Sequence, residues 1–138
     1  MESLKVRHYM TQHSITFKAD MSLSAALERV IEFNDFFSGP VIDDHGRVIG
    51  FLSEQDLLDK LVKVSYFCQD SHMVGDCMTQ VVDTVSPDLP IIELADHMRD
   101  GRSTYPVVED GRLVGVINRR AVLKAINKNL HSCFKRQV

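Results

Sequence analysis

The sequence contains no long apolar run. Its purely apolar stretches stop after a handful of residues, whereas a membrane-spanning helix needs about 20 in succession. The first ten residues are broken by Glu2, Lys5 and Arg7 and hold no apolar core, which argues against a secretory leader. Cysteine is scarce: Cys68, Cys77 and Cys133 are too few and too irregularly placed for a disulfide framework. Neither sign of charge dominates. Sixteen basic against nineteen acidic side chains leave a net charge of −3 and a pI near 6.0, unlike a strongly basic nucleic-acid binder or a membrane-surface protein. There is no glycine-rich phosphate loop, no His-x-x-x-His pair and no Cys–His–Asp series. No nucleophile–base arrangement suggests an enzyme, and no catalytic residue is assigned. Cys68, His72 and Cys77 match no standard zinc spacing and lack an evident fourth ligand, so no metal site is assigned. The expectation is a cytoplasmic protein with neither nucleic acid nor membrane as a partner.

What is present is an ordinary globular composition, 44% apolar, and beneath it a repeat. Met10-Thr11-Gln12 recurs as Met78-Thr79-Gln80, 68 positions later, and Thr16 and Asp20 match Thr84 and Asp88 at the same offset. Pro40-Val41 recurs as Pro106-Val107 after 66 positions, and Gly46-Arg47 and Gly50 as Gly111-Arg112 and Gly115 after 65. An ordered series whose offset drifts slowly is the mark of a duplication with small loop deletions.

Each half also repeats its periodicity. Leu23, Ala26, Leu27, Val30 and Ile31 fall at helical spacing, and Ile91, Leu94, Ala95 and Met98 keep the same rhythm. Pro90 suits a first helical turn, where its missing N–H costs nothing. A strand from Gly39 to Asp43, a polar turn and a strand from Arg47 to Leu52 form a hairpin. Tyr105 to Val108, Glu-Asp-Gly and Arg112 to Ile117 form another. A second helix follows each hairpin, Ser53 to Val64 and Asn118 to Asn129. A short extended piece, Ile15 to Phe17 and Val82 to Val85, precedes each first helix. The expected fold is α/β (α+β), two tandem β-α-β-β-α units packed about a pseudo-two-fold axis that creates two related clefts. The expected divisions are 5–64, a linker 65–75, 76–129 and a frayed basic tail 130–138. A half of about 60 residues would be marginal alone, so the two are expected to share a core.

The β-α-β-β-α unit, the Met-Thr lead-in, the Pro-Val strand and Gly50-Phe51-Leu52-Ser53-Glu54-Gln55-Asp56 together resemble the CBS domain, named for cystathionine β-synthase. Two tandem copies resemble a CBS pair over residues 5 to 129. The resemblance implies a regulatory module that binds an adenosyl ligand (AMP, ADP, ATP or S-adenosylmethionine) and associates as a homodimer.

The helix starts carry the chemistry. A carboxylate with two acceptor oxygens can take both neighbouring hydroxyls of a ribose. In the family, the glycine–apolar–apolar–Ser/Thr–x–x–Asp pattern marks ribose binding, and Ser53 and Asp56 match it. Ser-x-x-Asp before an apolar helix is equally a capping signature, and Asp56 in a first turn complements the helix dipole. In the second copy Asn118 keeps the cap position but Ala121 replaces the carboxylate, which implies one principal nucleoside site. Arg119 and Arg120 oppose the dipole of the helix they open. Either they form a phosphate seat with the helix N–H groups or they are a solvated basic pair. The resemblance implies that phosphates held by one copy are reached from the other, Asp56 taking the ribose and Arg119 or Arg120 the phosphates. It also implies a base slot made by Thr16, Phe17, Ser38, Gly39 and Pro40, against the alternative that Phe17 and Pro40 are core and Ser38-Gly39 a turn. Tyr105 is expected to fill the corresponding second slot.

The reading that follows is a stand-alone module sensing an adenine nucleotide and signalling to a separate effector protein, with no obligatory cofactor. The alternatives are a structural or interaction module with empty clefts, and an S-adenosylmethionine sensor. Phe33, Phe36 and Phe37 are expected to bury the end of the first helix.

Overall fold

The computed structural model describes residues 4–12, 15–32, 38–67, 72–80 and 82–136. Phe33, Phe36, Phe37 and Cys68 lie outside them. After a single 3-10 turn, Val6–His8, the elements run α1 (Leu23–Glu32), β1 (Gly39–Ile42), β2 (Val48–Leu52), α2 (Glu54–Phe67), α3 (Val74–Cys77), α4 (Ile91–Arg99), β3 (Thr104–Glu109), β4 (Arg112–Asn118) and α5 (Arg119–Arg136). Two α-β-β-α patterns are thus present in sequence order, and the leading strand expected of each is a single parallel bridge residue, Phe17 and Val85. Packing cuts the chain differently. His13–Asp83 with Asp110–Leu113 form one compact unit, and Met1–Gln12, Thr84–Glu109 and Val114–Val138 form the other. They are called here the Asp56 unit and the Arg119 unit.

In the Asp56 unit, β1 and β2 pair antiparallel with Gly39 opposite Leu52 and Val41 opposite Gly50. The turn between them is built by Asp43. Its carboxylate accepts the N–H groups of His45 at 2.8 Å and Arg47 at 3.0 Å, while Gly46 takes a φ of +79° that other residues resist. Both hairpin edges are then extended. Phe17 lies parallel to Val41, donating to the Pro40 carbonyl at 3.0 Å and accepting from Ile42 at 2.9 Å. Thr79 lies antiparallel to Phe51 through two 2.9 Å bonds. Phe17, Leu23, Ala26, Val30, Val41, Leu52, Leu57 and Val74 close the core. Ile31, expected on the buried stripe, is 64% exposed; next to Val30 it lies about 100° round the helix from it.

The Arg119 unit repeats the plan. Val85 lies parallel to Val107, and Thr11 antiparallel to Val116 with bonds of 2.8 and 3.0 Å. The segment before Thr11 is tied in as well: Val6 donates to Leu89 and Arg7 to Pro87, and Leu4 accepts from Ile91. Val6 is fully buried with Ile91, Leu94, Met98, Tyr105, Val107, Ile117, Val122 and Ala125. Outside that core the Arg7 guanidinium meets Glu109 at 2.8 Å and Asp88 at 3.1 Å. Those bonds raise its pKa further above the usual arginine value. Tyr105 is 5% exposed and fills space, as its size suggests. The frayed tail expected after residue 129 is instead helix to Arg136. His131, Ser132 and Cys133 are exposed there, as Asn127 and Lys128 are before them, so the extension continues an exposed face that a core-seeking periodicity does not detect.

Candidate functional site

The start of α2 is held by two serines. Ser53 is the N-cap: its carbonyl accepts the Leu57 N–H at 3.0 Å and its hydroxyl the Asp56 N–H at 3.1 Å. The Ser38 hydroxyl accepts the Glu54 N–H at 3.1 Å. Two of the donors that a helix start leaves unpaired are thereby satisfied. The capping role of Ser53 is therefore real.

Asp56 behaves otherwise. In a capping box its carboxylate would accept the N–H of Ser53. Asp76 does this for the short α3, accepting from Met73 at 2.9 Å. Among the described residues, the Asp56 carboxylate instead has one hydrogen bond, from the Thr79 hydroxyl at 3.5 Å. Asp56 is half-buried, and most of its acceptor capacity is directed at no protein group described. Beside it, burial first and the Asp56 charge second push the Cys77 thiol above its usual pKa. That is the opposite of what an activated nucleophile needs.

The other residues expected at this site fall into two sets. Ser38, Ser53 and Asp56 gather at the start of α2. Thr16, Phe17, Gly39 and Pro40 lie at the paired edge of β1. Phe17 is fully buried in the core, Pro40 is buried as well, and the Thr16 carbonyl is taken by Arg29 at 2.8 Å. Gly39 is an intimate backbone approach, since a Cβ there would strike the Ile15 carbonyl oxygen and lie 2.9 Å from its Cγ2. Phe17 and Pro40 pack as core side chains.

In the Arg119 unit the Asn118 side chain caps α5, accepting the Ala121 N–H at 2.9 Å, and the Arg119 N–H reaches the Ser103 carbonyl at 2.9 Å. The Arg119 guanidinium turns away from its own helix start. One nitrogen donates to the carbonyls of Met98 at 3.1 Å and Gly101 at 3.0 Å. It thus sits at the carboxyl end of α4, where a cation is favourable. Its stem also lines an apolar groove of about 260 Å³ with Ala95, Met98, Val122, Leu123 and Ile126. Arg120 is exposed and makes no hydrogen bond or ion pair among the described residues. Sequence reasoning missed Thr79 as a contact of Asp56, although the recurring Met-Thr pair was a signal.

The CBS domain profile matches residues 6–63 and 74–128. An A-adding tRNA nucleotidyltransferase of Aquifex aeolicus is 32% identical over 128 residues, which are 92% of this chain and 15% of that protein. The chain spans less than half the length of this relative and of an uncharacterized Methanocaldococcus jannaschii protein, of which it covers 43%. Among solved structures, a putative acetoin utilization protein of Vibrio cholerae aligns with a TM-score of 0.79 and 25% identity, over 98% of each chain. CBSX2, an Arabidopsis thaliana CBS-pair protein solved in complex with AMP, aligns with a TM-score of 0.75 and 30% identity, over 90% of this chain and 96% of that one.

Proposed function

The chain belongs to the CBS domain family, and we propose that within it this protein is a regulatory module that senses an adenine nucleotide. The observation that carries this reading is the Asp56 carboxylate, which stands at a capped helix start without doing the capping. Its remaining acceptor positions suit the two ribose hydroxyls. In the Arg119 unit, Arg119 is occupied by the Met98 and Gly101 carbonyls and Arg120 is exposed. The AMP held by CBSX2 supports an adenosine ligand. Ala121 leaves the other helix start without a ribose acceptor, so one principal site operates.

A ligand acts by binding two states with different affinity, and its effector lies outside these residues. A second copy of the chain is the surface against which such a shift is read. Leu58 and Val62 on α2 are 59% and 60% exposed, and Leu123 on α5, at the place of Leu58 in the repeat, is 65% exposed. An exposed apolar position repeated on both units suits a homodimer.

Thermal shift and calorimetry with AMP, ADP, ATP and S-adenosylmethionine, on the wild type and on Asp56→Ala, test the reading. A phosphate-bearing ligand at 100 times its Kd should stabilise the wild type by about 2.7 kcal/mol. Asp56→Ala should lose most of that gain. No response to any of the four at millimolar concentration sinks the proposal. A response to S-adenosylmethionine alone moves the assignment to a ligand without phosphate.

A further inference from the structure

The Met-Thr pair that opens each repeat pairs by its backbone in both, but its hydroxyl meets a carboxylate only at Thr79, and we infer that Thr79 is a positioning residue that aims the Asp56 carboxylate at the ribose. The inference rests on the reading of Asp56 given above. Thr79 is fixed from below by its backbone: two 2.9 Å bonds pair it with Phe51, on the strand that leads into α2. Gly50 makes that pairing possible, because a side chain there would run into the Met78 sulfur and stand 3.0 Å from the Thr79 carbonyl oxygen. From this anchored position the Thr79 hydroxyl reaches Oδ2 of Asp56 at 3.5 Å. Asp56 is itself fixed from the other side by the Ser53 cap on its N–H. The hydroxyl uses one of roughly four acceptor positions of the carboxylate. It restricts rotation about the last torsion, which is otherwise broad, and leaves Oδ1 entire for the ligand.

The Arg119 unit is the internal control. Thr11 is anchored in the same way, with bonds of 2.8 and 3.0 Å to Val116, and Met10 lies 3.2 Å from where a Gly115 Cβ would be. The place of Asp56 is taken by Ala121, so Thr11 has no carboxylate to aim. The pairing alone therefore explains the backbone half of the Met-Thr motif, and the ribose carboxylate gives the hydroxyl its use.

The test is calorimetric titration of Thr79→Val, Thr79→Ser and Thr11→Val with AMP and ATP, each beside its 2′,3′-dideoxy counterpart. Thr79→Val keeps the shape and strand preference of the residue and removes only the hydroxyl. It should weaken the parent nucleotide on the order of fivefold and leave the dideoxy analogue unchanged. Thr79→Ser should restore the preference, and Thr11→Val should bind as the wild type does. A Thr79→Val protein that keeps the full ribose preference overturns the inference. So does equal weakening of parent and dideoxy nucleotides, which marks a general structural loss. If the wild type shows no ribose preference, or Asp56→Ala leaves that preference intact, the reading of Asp56 fails and this inference with it. An intact, Asp56-dependent preference that ignores Thr79 overturns only the inference.

Discussion

Replacing Arg119 by methionine removes two hydrogen bonds while keeping most of the apolar stem that lines the α4–α5 groove. The bonds run from one guanidinium nitrogen to the Met98 carbonyl at 3.1 Å and the Gly101 carbonyl at 3.0 Å. Hydrogen bonds from a charged donor contribute roughly 1.5–3 kcal/mol when shielded, and a cation at a helix C-terminus roughly 0.3–1 kcal/mol when exposed. Arg119 is exposed, so the lower figures apply, and about 1–2 kcal/mol is the expected gross loss. Removing a cation from the first turn of α5 returns roughly 0.3–1 kcal/mol. The net destabilisation is about 1 kcal/mol, a fall in Tm of roughly 3–5 °C for a chain of this length. Arg120→Met removes the same unfavourable cation and no hydrogen bond, so its Tm should stay level or rise slightly. Scanning calorimetry without ligand separates the two, and hydrogen exchange should show the last turn of α4 opening only in Arg119→Met. Equal stability of the two variants, or a larger loss in Arg120→Met, refutes the division of labour between the arginines.

Two further outcomes follow from the geometry. Gly39→Ala should cost more than Gly50→Ala by denaturant titration. The first Cβ meets the Ile15 backbone, whereas the second meets chiefly the end of the flexible Met78 side chain; overpacking of the first kind costs about 1–3 kcal/mol, and a reversed order contradicts the packing described. Asp43 should be a source of acid sensitivity. The Arg47 backbone N–H foremost, with the His45 N–H, holds its carboxyl below the usual value of 3.8. The folded state therefore binds its proton less readily than the unfolded one, and the stabilisation present above pH 3.8 is lost as pH falls through the lower, folded value. Asp43→Asn should flatten the stability curve over that range, and an unchanged acid limb would count against the turn as drawn.

Much of this was legible in the residues. The drifting offset exposes the duplication, and Asp43 with Gly46 marks a turn because each supplies something local. Ser53 announces a helix start for the same reason. What sequence could not convey is where long-range partners sit. Arg119 looks like an anion seat because its own helix start is all that neighbouring residues reveal; Met98 and Gly101, its actual partners, lie in an earlier helix and the bend after it. Ser53 and Asp56 share one motif, and only the orientation of the carboxylate separates a capping group from one left open. Phe17 reads as either ring slot or core until its complete burial is known. The ownership of residues 4–12 is invisible to periodicity, since their partners begin about 80 positions downstream.

That ownership sets a timetable for synthesis. All of α1, β1, β2, α2 and the Thr79 edge have been translated once residue 83 is made, so the Asp56 unit then lacks only residues 110–113. Val6 and Thr11 are made before all of these, yet Thr11 must wait for Val116 and Val6 for Leu89. During that interval an apolar segment stands open to other strands. Slowing elongation after residue 83 would therefore lengthen the exposure of residues 4–12 while the Asp56 unit is already taking shape.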